Sequence, residues 1–144
     1  MMKTVKEMKI RISSEITNLS DRGEPVGEVE KTLECADGFV HFFDGEITVS
    51  YMISVDGADL NTDIVILPDE IRVRRKGAVS SHFVFREGEA HKSVYSVGAY
   101  SFDAEVTSQK QRYQTDTDCV RAYVYYKMRI GGADKQVKMK IIAE

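Results

Sequence analysis

Apolar and polar residues alternate one by one along most of this 144-residue chain, and this alternation constrains the fold more than any other feature. The clearest case is the segment 47–55, in which Ile47, Val49 and Tyr51 are separated by polar residues. Side chains two positions apart share one face of a β-strand, so the pattern predicts a strand with one buried and one solvated face. Because no helical apolar period lasts beyond about one turn, the sequence predicts an all-β fold.

Glycine-containing turns divide the alternating segments. Asp44-Gly45 is the strongest hairpin signal, because a type I′ turn needs positive φ, which glycine favours and aspartate tolerates. Gly38 either forms a hairpin turn or bends one long strand, and we favour the bend. The turn spacing predicts about nine or ten antiparallel strands. A sheet of this size closes on itself to protect its edges, so we expect a single up-and-down β-barrel over residues 1–144.

Two further predictions concern a buried face and a loop. In the second strand, about residues 27–35, Val29, Leu33 and Cys35 share one side, and we expect Cys35 to be a small buried apolar residue. The polar segment from Gln109 to Asp118 carries no period and is predicted to be the longest loop. Cys35 and Cys119 form neither a close pair nor a metal-type cluster, so we expect no structural disulfide.

Charge is unevenly distributed along the chain, although the net charge is only -3. Residues 1–69 contain 6 Lys/Arg against 14 Asp/Glu, whereas residues 70–144 contain 14 against 9, so the fold is expected to be electrically two-sided. The start of the chain has no apolar run of signal-peptide length, and no segment approaches the length of a membrane span. We therefore expect a cytoplasmic protein with no membrane partner.

The segment 73–79, Val-Arg-Arg-Lys-Gly-Ala-Val, is followed by Phe83, Gly88, Tyr95 and Gly98. In these residues, and over nearly its whole length, the chain resembles the uncharacterised bacterial YwiB-like family, whose members look like calycin-type β-barrels. The resemblance implies a calycin or lipocalin-like barrel with a possible cavity for a small ligand. It implies no assigned activity.

Arg75 is the first candidate ligand-binding residue. It shares the phase of Ile71 and Val73 and is therefore predicted to point toward the apolar side of its strand. An inward arginine needs a partner, so Arg75 is either a fixed cation for an anionic ligand group, a partner of an internal carboxylate, or a side chain that reaches the rim.

Four tyrosines are also predicted to reach the interior, where a phenol combines apolar area with one polar group. They are Tyr51, Tyr95, Tyr100 and Tyr126. They either line a ligand site or fill a solid barrel. Together with Arg75 they make a small-molecule-binding module, for an anionic or amphipathic ligand, the leading functional hypothesis.

The alternative is a docking surface for nucleic acid or an acidic partner on the outside of the barrel. Basic residues share outward faces with aromatic ones, and this combination can follow a phosphate backbone and stack bases. The residues are Arg72, Arg74 and Lys76 on one strand, Arg121, Tyr123, Tyr125, Lys127 and Arg129 on another, and Lys138 and Lys140 on the next. The same pattern also suits a solvated polar face.

No catalytic or metal-binding motif is present in the sequence. His41, His82 and His91 lie on separate predicted strands without ligand spacing, and there is neither a nucleophile elbow nor a phosphate-binding glycine loop. We therefore name no catalytic residue, metal or cofactor, and the sequence leaves enzymatic activity open. A homodimer formed through an exposed barrel edge is a third hypothesis.

Overall fold

A computed structural model describes residues 3–116 and 118–144; Met1, Met2 and Thr117, which falls in the predicted loop, lie outside the described residues. Within these two ranges, ten antiparallel strands form one closed barrel in which neighbours in sequence are neighbours in space. The all-β, up-and-down prediction is therefore confirmed. The strands are β1 (Thr4–Leu19), β2 (Pro25–Phe43), β3 (Glu46–Val55), β4 (Ala58–Ile66), β5 (Ile71–Gly77), β6 (Val79–Phe85), β7 (Ala90–Val97), β8 (Tyr100–Asp116), β9 (Cys119–Ile130) and β10 (Ala133–Ala143).

The connections alternate between the two ends of the barrel, because each joins a strand to its antiparallel neighbour. We call the end with the β1–β2, β3–β4, β5–β6, β7–β8 and β9–β10 connections the upper end. The lower end carries the other connections and the first and last described residues. In both described ranges, no helix has the length and apolar character needed to cross a membrane.

Two tight hairpins show why the chain turns where it does. Asp44 and Gly45 have φ values of 52° and 78°, and Asp56 and Gly57 have φ values of 50° and 82°. Positive φ at both central residues is the type I′ geometry, whose twist matches that of the two strands it joins. The hairpin predicted at Asp44-Gly45 is confirmed.

The lower half of the barrel is filled by apolar side chains from the inward positions of all but one of the strands. Ile47, Val49 and Tyr51 are all buried, as the alternation of β3 predicts. The most completely enclosed side chains include Ile10, Val40, Val49, Ile64, Ile66, Ile71, Phe85, Val106, Val120, Val124 and Ile141. Burying each of these contributes about 1.5–3 kcal/mol before the conformational entropy cost, so this half carries most of the hydrophobic stabilisation.

The upper half of β2 faces the opposite way from the prediction. Val29 and Leu33 are 48% and 64% exposed, and Cys35 is also exposed, so the predicted burial of this side is wrong. This part of β2 pairs only with β1, because the β2–β3 ladder begins at Gly38. The β1–β2 hairpin therefore extends beyond the closed wall, and its inward-facing side presents Glu34 to the barrel.

β2 continues through Gly38, so this residue forms no hairpin turn. A Cβ atom at Gly38 would lie 2.4 Å from Ile10 Cδ1 and 2.4 Å from the carbonyl oxygen of Ser50. Glycine is required here because the neighbouring strands and the core approach the backbone so closely.

The predicted loop from Gln109 to Asp118 is wrong, because β8 continues as a strand to Asp116. Its register with β9 shifts between Ser108 and Lys110, which marks a β-bulge at Gln109. A bulge reverses the inward and outward positions of the residues that follow it. Since both faces of this segment are also polar, no alternation was visible in the sequence.

Candidate functional site

The upper half of the barrel contains a cavity of about 370 Å³. Its floor is the upper surface of the packed core, including Phe83, Phe85 and Val137. Polar and charged side chains stand among the apolar ones on its walls. Those that line it are Ser14, Thr32, Glu34, Arg75, Ser81, Tyr95, Tyr126 and Lys135.

Arg75 and Glu34 form an ion pair at this cavity. Arg75 Nη1 donates to Glu34 Oε2 at 2.9 Å, and the Tyr51 hydroxyl donates to Glu34 Oε1 at 2.6 Å. The Arg75 and Glu34 side chains are 20% and 23% exposed, so both charges are largely withdrawn from water. The inward orientation predicted for Arg75 is observed, and its partner within the protein is the internal carboxylate that the sequence left as an alternative.

Strand register explains how these side chains meet. Residues paired across neighbouring strands point to the same side of a sheet. One inward row crosses β2 to β6 and consists of Gly38, Tyr51, Thr62, Arg75 and Ser81. Glu34 lies four residues before Gly38 on the same side of β2, which brings its carboxylate within reach of both Tyr51 and Arg75.

Burial and charge act together on the ionisable groups of this site. Burial alone would lower the pKa of Arg75, but the Glu34 carboxylate and Tyr51 outweigh it, so the pKa lies above its ordinary value. Burial, followed by the Glu34 hydrogen bond, raises the pKa of Tyr51. Burial also raises the pKa of Tyr126 to about 12, although Arg75 opposes this effect. At neutral pH the site therefore contains a fixed guanidinium and two neutral phenols.

Lys135 adds a second cation to the cavity. It is half-buried at the start of β10 and forms no ion pair with any residue in the described ranges. Arg75 and Lys135 together outnumber the single cavity carboxylate, Glu34, so the lining carries a net positive charge.

The four predicted tyrosines do not all lie at the site. Tyr51 and Tyr126 are 6% and 8% exposed, and Tyr95 is half-buried on the cavity wall. Tyr100 is 72% exposed, so its predicted position in the interior is wrong. It is the first residue of β8 at the upper end, where its phase is inward but no opposite wall covers it. The ligand-binding roles of the other three stay predictions.

Two charged residues of the site were missed in the sequence. Glu34 lies in the phase opposite to Val29, Leu33 and Cys35, so the sequence pattern predicts it on the solvent side. Lys135 had a detectable signal, since it lies two residues before Val137 and shares the inward phase of Val137 and Met139. An inward arginine was itself a reason to look for a carboxylate such as Glu34.

The predicted basic outer face is divided in two by the barrel. Arg72, Arg74 and Lys76 lie on β5, and three strands separate them from the basic residues of β9. Arg72 is also paired with Glu70 at 2.5 Å. The β9 residues lie beside those of β10, so only these two groups form one surface.

The histidines do not form a metal site within the residues that the structure describes. His82 and His91 lie with ring centroids 6.2 Å apart on β6 and β7, and His41 lies on β2. Over those same residues, no three His, Cys, Asp or Glu side chains come together as a possible ligand set.

Comparison with known proteins identifies the family to which this chain belongs. No curated protein matches the chain. The crystal structure of the ywiB protein from Bacillus subtilis is similar in fold, with a TM-score of 0.78 and 20% sequence identity, over 97% of this chain and 94% of that one. The model of the family described as "Domain of unknown function (DUF1934)" matches residues 10–141. The resemblance to YwiB-like proteins is thus confirmed, and the chain belongs to the DUF1934 family.

Proposed function

We propose that this domain binds a small amphipathic oxyanion in the cavity at the upper end of the barrel. The ligand carries one carboxylate or phosphate group and a short apolar body. Its anionic group contacts Arg75 and Lys135, and its apolar part rests on the core residues that floor the cavity. The calycin likeness implied by the sequence supports a cavity for a small ligand.

The observation that carries this proposal is the unused hydrogen-bonding capacity of Arg75. A guanidinium has five N–H donors, and Arg75 donates to Glu34 only through Nη1. Both Glu34 oxygens are already engaged, one by Arg75 and one by Tyr51. Glu34 thus orients the guanidinium without saturating it, and the remaining donors are available to an oxyanion, which arginine binds in a bidentate geometry.

The size and charge of the cavity are consistent with this ligand. Its volume of about 370 Å³ falls within the range of small-molecule sites, about 300–1,000 Å³. Its lining is mostly apolar, with Ile16, Met128 and Ile130 near the upper end. A second anion-attracting group, Lys135, has no carboxylate to neutralise it in the described part of the chain.

Calorimetric titration with three probes of equal chain length tests the proposal. Octanoate should bind to the purified protein, whereas 1-octanol, which lacks the charge, and octylamine, which reverses it, should bind at least about tenfold more weakly, because a charge-assisted hydrogen bond contributes about 1.5–3 kcal/mol. Native mass spectrometry of the same samples should show one octanoate per chain. Equal affinity for octanoate and 1-octanol would contradict an oxyanion site.

Lys135→Gln is the informative variant, since it removes a cavity cation without breaking an ion pair. Octanoate affinity should fall by about tenfold or more, because one charge-assisted contact contributes about 1.5–3 kcal/mol. The matched control is Lys92→Gln, which removes an exposed lysine from β7, outside the cavity lining, and should leave affinity unchanged. If both variants bound octanoate equally well, the anionic group would not lie at this site.

A further inference from the structure

The outer surface of β8, β9 and β10 carries cations on both sides of two tyrosines. Tyr125 is paired in register with Lys110 on β8 and Lys138 on β10. Tyr123 is paired in the same way with Arg112 and Lys140. We define the basic-aromatic face as Lys110, Arg112, Arg121, Tyr123, Tyr125, Lys127, Lys138 and Lys140.

The bulge at Gln109 creates one side of this face. Ala104, Val106 and Ser108 point into the barrel, so unbroken alternation would turn Lys110 and Arg112 inward as well. The extra residue reverses the phase and places both side chains outside, next to the tyrosines. The bulge therefore completes a surface that the sequence pattern alone does not reveal.

No carboxylate among the described residues neutralises the positive charge of this face. All six cations are exposed, and none forms an ion pair with a residue of the described ranges. Lys138 Nζ lies 5.5 Å from the ring centroid of Tyr125, a cation–π contact that leaves its charge in place. Glu15, the carboxylate next to Lys138 in register on β1, forms no ion pair with it.

The two tyrosines provide a platform beside an open groove. Their ring centroids are 5.1 Å apart with an angle of 40° between the planes. The adjoining groove has a volume of about 610 Å³, and Arg112, Arg121, Tyr123 and Lys140 are among the residues that line it. Aromatic rings next to unpaired cations suit a partner with flat, unpaired bases on an anionic backbone.

We propose that the basic-aromatic face binds single-stranded nucleic acid. Phosphates contact the lysines and arginines, and bases stack on Tyr123 and Tyr125. In a duplex the bases are stacked on one another inside the helix, so they are not free to stack on the tyrosines. Residues 1–69 contain 14 of the 23 acidic residues, whereas this face carries six cations, so the overall charge of -3 does not prevent local attraction.

Fluorescence anisotropy with a labelled 12-nucleotide oligo(U) tests this proposal, with the matched duplex and heparin as comparison ligands. Oligo(U) should bind more tightly than the duplex, and its affinity should fall as salt rises. Equal binding of duplex and single strand would overturn the role of base stacking.

Two double variants separate stacking from charge. Tyr123→Ala/Tyr125→Ala should weaken oligo(U) binding by about tenfold or more, because each stacked base contributes about 1–3 kcal/mol, and should leave heparin binding unchanged. Arg112→Gln/Lys140→Gln should weaken the binding of both ligands. It should also reduce the salt slope for oligo(U) by about 1.4, because two phosphate contacts of about 0.7 each are lost. A tyrosine variant that lost heparin and oligo(U) binding equally would contradict the proposal.

The matched charge control lies on another wall of the barrel. Arg74→Gln/Lys76→Gln removes one arginine and one lysine from the exposed face of β5, which three strands separate from β9. Its net charge equals that of Arg112→Gln/Lys140→Gln. If general electrostatic attraction alone held oligo(U), both variants would lose affinity equally. The proposal requires that the β5 variant bind oligo(U) as the unmodified protein does.

Discussion

The lower half of the barrel is filled and the upper half is hollow, although the same strands run through both. In β5, Ile71 and Val73 are 1% and 5% exposed, whereas Arg75, the next inward residue, lines the cavity. In β10, Val137 is buried and Lys135, one inward position above it, also lines the cavity. A barrel of fixed strand number can thus be solid or hollow at different levels, depending on which inward side chains are large and apolar.

The two halves also differ in how the wall is closed. The β2–β3 ladder covers only the lower part of β2, from Gly38 to Phe43, and above it β2 pairs only with β1. The cavity therefore lies where the wall is less continuous and where fewer apolar contacts hold it. This comparison predicts that equivalent substitutions cost far more in the lower half than in the upper half.

Matched removal of a phenyl ring gives the largest expected difference. Phe85→Ala in the lower half should reduce the free energy of unfolding by about 4 kcal/mol, because the ring is 1% exposed and its loss leaves a cavity beside Tyr126. Phe102→Ala near the upper end, where the ring is 42% exposed, should cost less than about 1 kcal/mol. Urea denaturation measures both, and equal losses would show that the upper half is as tightly packed as the lower.

A glycine pair tests where close approach of the strands begins. Gly38→Ala places a Cβ atom against Ile10 and the Ser50 carbonyl, so unfolding free energy should fall by about 2–3 kcal/mol as the backbone shifts. Gly23→Ala, in the upper β1–β2 turn, meets no atom within 4 Å and should cost only about 1 kcal/mol for its positive φ. Thermal unfolding of both variants compares them, and a larger loss at Gly23 would reverse the expected order.

The ion pair of the upper half is expected to matter for stability despite the cavity around it. Glu34→Ala leaves Arg75 without its carboxylate and Tyr51 without its acceptor, which should cost about 2 kcal/mol of unfolding free energy. Asp69→Ala is the control, because its partner Arg86 is exposed and keeps Glu70 and Glu89. Chemical denaturation should show a much smaller loss for Asp69→Ala, because exposed ion pairs contribute little to stability. A Glu34 effect no larger than that of Asp69 would mean that solvent already screens the cavity pair.

Alkaline pH should weaken the barrel through Tyr126, which packs between the two halves. Its folded-state pKa is raised to about 12 by burial, above the value of 10.0 for an unperturbed tyrosine. Since the unfolded chain loses this proton first, the stability contribution is complete below pH 10.0 and is lost as pH rises toward 12. The loss is at most about 1.4 kcal/mol per pH unit.

Tyr126→Phe isolates this effect. Urea midpoints measured from pH 9 to pH 11 should fall less steeply for the variant than for the unmodified protein, although Tyr51, whose pKa is also raised, still contributes. Identical slopes would indicate that Tyr126 ionises in the folded state as readily as in the unfolded one.

Sequence reasoning worked best where one phase of a strand is apolar and a closed wall lies opposite. In β3, Ile47 and Val49 alternate with polar residues, and their burial followed directly. It failed at Tyr100, which is inward in phase but 72% exposed, and at Leu33, because the apolar residues of the upper part of β2 lie on the outer side of the β1–β2 hairpin. It also failed at Gln109, because a bulge reverses the inward and outward positions that follow it and no residue type in the sequence marks its place.

The candidate site was only partly predictable, because a local pattern gives the side of the strand on which a residue lies but not its distant partners. The inward position of Arg75 followed from the phase it shares with Ile71 and Val73. Its pairing with Glu34 depends on how β2 passes across the upper end of the barrel, and those residues lie 41 positions apart in the chain. No local pattern encodes a contact at that separation.

The order of residues by itself determined the β class, the approximate number of strands and the Asp-Gly turns. These depend on local backbone preferences and on the two-residue period of a strand, which neighbouring residues set among themselves. Only the tertiary structure decided which ends of the strands enclose a cavity, which carboxylate meets Arg75 and which cations flank Tyr123 and Tyr125. Those features require strands to be closed at a particular register, and register is a property of the assembled sheet.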